Sequence, residues 1–229
     1  MDAMILAAGR GERLRPLTDS IPKPLIAVGD HRLIEYHLLN LARSGFNRVV
    51  VNVSYLAEIV MNTLGDGNRY GIHIDYSVEP GQALGTAGGI ARAMGKFHSD
   101  QVLVVNGDVY TDMVFPATRL AQGNDAHLVL VPSPPHHIDG DFSLHENKAG
   151  LAVHGTVNHT FSGVGIYRKS LFADSGSGFG ELGPILKKLA SSGRITAELY
   201  RGNWIDVGTI QRLESARMLS TKTINSRNT

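Results

Sequence analysis

Four charged side chains, Arg13, Lys23, Asp108 and Asp206, stand in segments that an ordinary solvated charge does not need. The first two belong to the run Leu6-Ala7-Ala8-Gly9-Arg10-Gly11-Glu12-Arg13-Leu14-Arg15-Pro16-Leu17-Thr18 and its continuation Pro22-Lys23-Pro24. Glycines after a strand let backbone N–H groups approach phosphate oxygens closely, and an arginine adds a forked cationic donor. The loop is not closed by Gly-Lys-Ser/Thr, so it is not a Walker A loop. A dinucleotide loop would need a third glycine where Leu14 stands. Taken alone, Gly9-x-Gly11 is equally an ordinary turn with solvated arginines. Pro22-Lys23-Pro24 weighs against that: two prolines restrict the backbone around one lysine, which lowers the entropy lost when its ammonium meets a phosphate.

The carboxylates carry the complementary chemistry. Asp108 follows an apolar run and Asn106-Gly107, where it could hold a divalent metal against phosphate oxygens. In isolation the tripeptide is also a plain strand-ending turn. Asp206 sits in Trp204-Ile205-Asp206-Val207, an acid inside an apolar strand, and such a group requires a metal or a basic partner nearby. A structural ion pair satisfies it equally.

The elements that must position these residues follow from hydrophobic periodicity. Strands are predicted at Ala3–Ala8, Val49–Val53, Ile72–Val78 and Gln101–Val105. Helices are predicted over Leu33–Ser44, from a Ser54 cap to Leu64, and over Ala87–Met94. Gly9 to Pro24 is too punctuated for regular structure. This alternation predicts an α/β fold, a Rossmann-like, mostly parallel sheet flanked by helices on both faces. Ligands in such sheets bind beyond the carboxyl ends of the strands, so Gly9–Lys23, Glu79–Gly89 and Asn106–Asp108 are expected to converge on one crevice. The second half supplies a strand at Ala126–Val131, a hairpin over Phe142–Val153 turning at Asn147–Gly150, and a strand at Phe161–Tyr167. A helix over Pro184–Ala190, the strand Asn203–Val207 and a helix from Thr209 complete it. The division expected is one domain over 1–220, with 1–112 mainly for nucleotide and 113–220 mainly a small sugar-binding subregion. A frayed polar tail is expected at 221–229.

Composition removes several function classes. The 229 residues include 42% hydrophobic and 19% charged residues, carry a formal charge of +1 and contain no cysteine. No global field draws the chain to nucleic acid or anionic lipid. Disulfides, thiolate metal sites and cysteine nucleophiles are excluded. The N-terminal apolar run is too short for a signal peptide and no stretch reaches membrane-span length, so a soluble cytoplasmic protein is expected. His136, His137, His145, His154 and His159 match no zinc spacing and read as loop and hairpin surface.

The run from Leu6 to Leu25 resembles the signature of the sugar-1-phosphate nucleotidyltransferases. The resemblance extends through Leu84-Gly85-Thr86-Ala87-Gly88-Gly89, Asn106-Gly107-Asp108, Phe161-Ser162-Gly163 and Trp204-Ile205-Asp206-Val207-Gly208-Thr209. One departure is Ala27, where the family often carries a further proline. The resemblance implies nucleotide contacts from Leu6, Ala8, Gly9, Gly11, Glu12, Arg13, Lys23, Gln82, Thr86 and Gly88, with small residues leaving room for the base. It implies sugar contacts from Asn106, Asp141 and Gly163, and one Mg²⁺ shared by Asp108 and Asp206. Asp141 read by itself is equally an exposed loop acid. The chemistry implied is attack by a sugar 1-phosphate on the α-phosphorus of a nucleoside triphosphate, with Arg13 and Lys23 as the catalytic cations and pyrophosphate leaving. The short chain and Asn106-Gly107-Asp108-Val109-Tyr110-Thr111-Asp112 most resemble the members that use UTP and N-acetylmuramate 1-phosphate. Leu84–Gly88 also resembles mannose 1-phosphate guanylyltransferases. A glycosyltransferase using a ready-made nucleotide sugar would need no pyrophosphate site, and a silent nucleotide-sugar sensor would need none of the four charged residues. The expected partners are small molecules, with no nucleic acid and no membrane; oligomeric state is not legible.

Overall fold

The computed structural model describes residues 1–116, 118–173 and 178–225. In chain order its strands and helices are β1 Asp2–Leu6, β2 Ala27–Val28, β3 His31–Arg32, α1 Leu33–Arg43, β4 Arg48–Val53, α2 Ala57–Leu64, β5 His73–Val78, α3 Gly85–Ala93 and β6 Gln101–Asn106. There follow β7 Val109–Thr111, β8 Ala126–Pro132, β9 Phe142–His145, β10 Lys148–Leu151, β11 His159–Arg168, α4 Leu182–Ser191, β12 Ile195–Leu199, β13 Trp204–Asp206 and α5 Ile210–Asn225. Short 3₁₀ turns at Glu12–Leu14, Leu17–Asp19 and Lys23–Leu25 fill the segment expected to be irregular.

Two compact units are present, neither continuous in sequence. The first comprises Met1–Met4, Leu84–Val105 and Pro116–Arg201; the second comprises Ile5–Ala83, Asn106–Phe115 and Gly202–Thr229. In the second unit the strand order is β5-β4-β1, and β4 and β5 run parallel. In the first the order is β1-β6-β11-β8-β12-β10-β9. The α/β class is therefore as expected, but the sheet is mixed. β12 is parallel to β8, whereas β11 is antiparallel to both β6 and β8. The physical reason is the connection: β11 arrives from a hairpin and loop, while a parallel neighbour needs a crossover such as the one through α4.

Local details differ from expectation at three places. The β9–β10 hairpin turns at Glu146-Asn147, two residues earlier, because Lys148 already pairs with His145 and Glu146 takes the left-handed φ of 52°. Ser54 does not cap α2; its hydroxyl donates to the Glu79 carbonyl, and the helix begins at Ala57. The last helix continues past Thr221 to Asn225, and Leu213, Ala216 and Ser220 lie buried along it. Of the expected tail, 226–229 lies outside the described residues. No helix among the described residues is long and apolar enough to cross a membrane.

Candidate active site

Within the second unit, strand ends are tied together by buried polar groups. The Ala7 N–H donates to Asn52 Oδ1 at 2.7 Å, and Asn52 Nδ2 donates to Glu79 Oε1 at 2.6 Å. Asn52 and Glu79 are each only 2% exposed, so breaking either bond would strand a buried polar group. Gly107 N–H donates to the Leu6 carbonyl at 2.9 Å, which joins the approach to Asp108 to the end of β1. Sequence reading missed this pair, although Asn52 is the one polar residue inside Val49–Val53 and gave the signal.

The loop after β1 is shaped by one glycine and one leucine. Gly11 has φ of 72°, a left-handed conformation that opens the turn Glu12–Leu14. A side chain there would run into Thr18 and the stem of Lys23, so the loop rests directly on that lysine. Leu14 is fully buried with Ile26, Val28, Tyr110, Val207 and Leu213, and burying it contributes about 1.5–3 kcal/mol. This anchor turns Arg13 outward. Arg13 is exposed and makes no hydrogen bond or ion pair with any described residue. Glu12, by contrast, lies 3.4 Å from Arg10 and 3.9 Å from Arg15. Ala8 is nearly buried, Leu6 is half-buried, and Gly9 is exposed with open space beside it.

The other charges meet at the β7–β13 ladder. Asp206 pairs across it with Val109, and the Val207 N–H donates to the Asp108 carbonyl at 2.7 Å. Lys23 Nζ donates to Asp108 Oδ2 at 2.7 Å, with the lysine side chain 11% exposed. Arg212 Nη1 lies 2.8 Å from Asp206 Oδ2 and 3.1 Å from Oδ1. The basic partner that Asp206 requires is therefore present. Arg212 was missed from sequence. Its signal is a cation in the first turn of α5, where the helix dipole disfavours positive charge unless an anion is at hand. A Cβ on Gly208 would collide with Arg212 Nη2 and lie 3.0 Å from Arg13 Nη2. Gly208 is thus the point beside which both guanidinium groups lie. His37 adds no charge nearby: complete burial lowers its pKa to about 4, against the opposing pull of Asp108 and the Val109 backbone.

The donor set suits a hard divalent cation. Two carboxylates flank one end of a ladder, and among the described residues no group of three or more His, Cys, Asp or Glu could hold a metal. Mg²⁺ is typically held by one or two carboxylates and completed by substrate oxygens. Asp108 and Asp206 fit that pattern.

Among the residues expected to meet the base and sugar, Gly88 and Asp141 have partners within the chain. Gln82 is exposed and belongs to the second unit, as does half-buried Asn106. In the first unit Thr86 is the second residue of α3. The Gly180 carbonyl accepts from Ala87 and Gly88 N–H at 2.9 and 3.2 Å. The space over Gly85 and Gly88 is taken by the Gly178–Gly180 backbone, so those glycines make room for the chain itself. Gly81 retains open space. Asp141 Oδ2 accepts from Phe161 N–H at 2.8 Å and its Oδ1 lies 3.0 Å from His137 Nε2. These bonds brace β11 where its register shifts, between Phe161 and Val164, and Gly163 supplies the φ of 82° there. His159 is a half-buried member of β11 rather than surface, and burial lowers its pKa.

Residues 2–136 match the family model for nucleotidyl transferases. The chain belongs to the nucleotidyl transferase family. It is 46% identical over 228 residues to an N-acetylmuramate alpha-1-phosphate uridylyltransferase of Neisseria meningitidis, covering 96% of this chain and 98% of that protein. A mannose-1-phosphate guanylyltransferase of Mycobacterium tuberculosis is 39% identical over 127 residues, which cover 56% of this chain and 34% of that protein. Among solved structures, a protein described as a glucose-1-phosphate thymidylyltransferase from Bacillus anthracis aligns with a TM-score of 0.81 and 22% identity, covering 96% and 94% of the two chains. That likeness establishes the fold. This nucleotidyl transferase thus carries Arg13, Lys23, Asp108 and Asp206 within one compact unit.

Proposed function

We propose that this chain transfers the uridylyl group of UTP to N-acetylmuramate α-1-phosphate and releases pyrophosphate. The observation that carries the choice of substrates is the 46% identity to the Neisseria uridylyltransferase over nearly all of both chains. The guanylyltransferase match stops at 56% of this chain and so supports the GTP and mannose alternative less.

An oxygen of the sugar phosphate attacks the α-phosphorus in line. The new P–O bond forms as the α–β bridging bond breaks, and its electron pair leaves with pyrophosphate. The nucleophile is already ionised at neutral pH, so no general base is needed and positioning with charge neutralisation supplies most of the acceleration. Arg13 and the amides of Gly9–Gly11 hold the departing pyrophosphate, which suits a guanidinium without a partner among the described residues. Lys23 bridges the reacting phosphates. Asp108 and Asp206 would hold Mg²⁺, which when bound neutralises phosphate oxygens. A UDP-linked product fits return of cell-wall sugar in the cytoplasm, hence peptidoglycan recycling.

Competition among equal UTP, GTP, dTTP, CTP and ATP, against muramyl, glucosaminyl and mannosyl 1-phosphates, tests the pair. Preferred use of UTP with the muramyl phosphate is expected. Preference for GTP with mannose 1-phosphate would overturn the pair and leave the reaction class standing.

A further inference from the structure

Both carboxylates expected to hold metal already carry a cation from the chain. Lys23 sits on Asp108 at 2.7 Å and Arg212 on Asp206 at 2.8 Å, with the lysine and arginine side chains 11% and 17% exposed. The two pairs come from separate elements, the Pro22-Lys23-Pro24 turn and the first turn of α5, and the carboxylates they hold lie at the same end of one ladder, where Asp206 pairs with Val109.

We propose that Lys23 and Arg212 are resident counter-ions that make metal binding conditional on the triphosphate. This rests on the nucleotidyl-transfer reading of the site. A bare divalent cation finds two neutralised carboxylates, and with Arg13 also close by it enters a region that is already net positive. Close charges in a partly desolvated site are screened less than in water, so this repulsion is substantial. A triphosphate reverses the balance. Its anionic oxygens draw Lys23 and Arg212 off the aspartates, freeing Asp108 and Asp206 at the moment when phosphate oxygens are available to complete the metal's shell. The metal and the triphosphate therefore bind with positive coupling, and each strengthens the other by the same factor. Arg212 is in this account a positioning residue: it holds Asp206 in place while the site is empty and passes to phosphate when the substrate arrives.

The test is a Mn²⁺ titration of the full-length protein, without nucleotide or sugar, read by electron paramagnetic resonance of the free ion. Wild type is expected to bind weakly. Arg212→Met and Lys23→Met should each bind Mn²⁺ about tenfold more tightly, as expected for removal of one nearby positive charge. Adding Asp206→Asn to Arg212→Met should abolish the gain, which ties it to this carboxylate. Circular dichroism identifies a variant that has lost its fold, and the other single variant then carries the test. Unchanged Mn²⁺ affinity in the folded variants, or a gain that survives Asp206→Asn, overturns the proposal. Pyrophosphate release by wild type is measured separately. If it is present while the Mn²⁺ affinities do not move, the counter-ion role fails and the transferase reading stands. If it is absent with every substrate pair, that reading fails.

Discussion

Replacing Gly208 by alanine tests whether the two guanidinium groups beside it matter to the reaction and not only to the fold. The new methyl group would collide with Arg212 Nη2 and lie 3.0 Å from Arg13 Nη2. Both obstacles are the far ends of flexible side chains, and the Gly208 backbone lies outside the left-handed region, so the methyl group can be accommodated by moving them. Relief of unfolded-state entropy by a Gly→Ala change offsets part of any loss, by about 0.4–1 kcal/mol. We expect Tm to shift by no more than about 2–4 °C for a chain of this size. Activity should respond far more. In the occupied site both guanidinium groups are assigned to phosphate oxygens, and a hydrogen bond to a charged group contributes about 1.5–3 kcal/mol. At about 1.4 kcal/mol per decade, displacing Arg212 and crowding Arg13 lowers kcat/KM for the triphosphate about 10- to 100-fold. Initial rates with UTP varied at saturating sugar phosphate, together with a thermal melt, give both quantities. A folded Gly208→Ala enzyme with wild-type kcat/KM would refute the role assigned to the paired guanidinium groups.

Asp108→Asn should lower kcat by about a hundredfold or more through loss of charge at the metal site, and near wild-type turnover in Mg²⁺ would remove Asp108 from it. Arg13→Ala should lower kcat/KM for the triphosphate, while Lys23→Ala should impair response to both substrates; unchanged kcat and KM values for Lys23→Ala contradict the bridging role. Gly88→Ala should lose about 1–3 kcal/mol of stability by denaturant melt, because its methyl group meets the Gly178 carbonyl, which is backbone and cannot swing aside. A Gly88→Ala protein as stable as wild type would contradict that packing.

The strands and helices of the first hundred residues were legible in the sequence because their signals are local. Ala3, Met4 and Ile5 are completely buried, and the apolar runs Val49–Val53 and Val102–Val105 are buried in the same way. Asp206 declared its need for a partner by standing in an apolar strand, and Arg212 meets it. What stayed hidden depends on contacts distant in sequence. Gly85 and Gly88 read as room for a base, yet they pack against the backbone some ninety residues later. Asp141 read as a sugar ligand or an exposed acid, and its carboxylate braces Phe161 across the β11 register shift. The reversed direction of β11 was missed because periodicity identifies a strand without giving its neighbours. Asn52 and Glu79 form a buried pair that no local pattern announces, although a lone polar residue in a β-branched strand is a reason to look for one.

We propose that Arg13, Lys23, Asp108 and Asp206 together serve transfer of a nucleotidyl group onto a sugar 1-phosphate. Phosphorus NMR of the purified protein with UTP, N-acetylmuramate α-1-phosphate and Mg²⁺ tests it most directly. Pyrophosphate and a diphosphate-linked UDP-sugar are expected in equal amounts, and both should vanish in the Asp108→Asn/Asp206→Asn double variant. Unreacted substrates with wild type, release of inorganic phosphate without a UDP-sugar, or equal product from the double variant would contradict it.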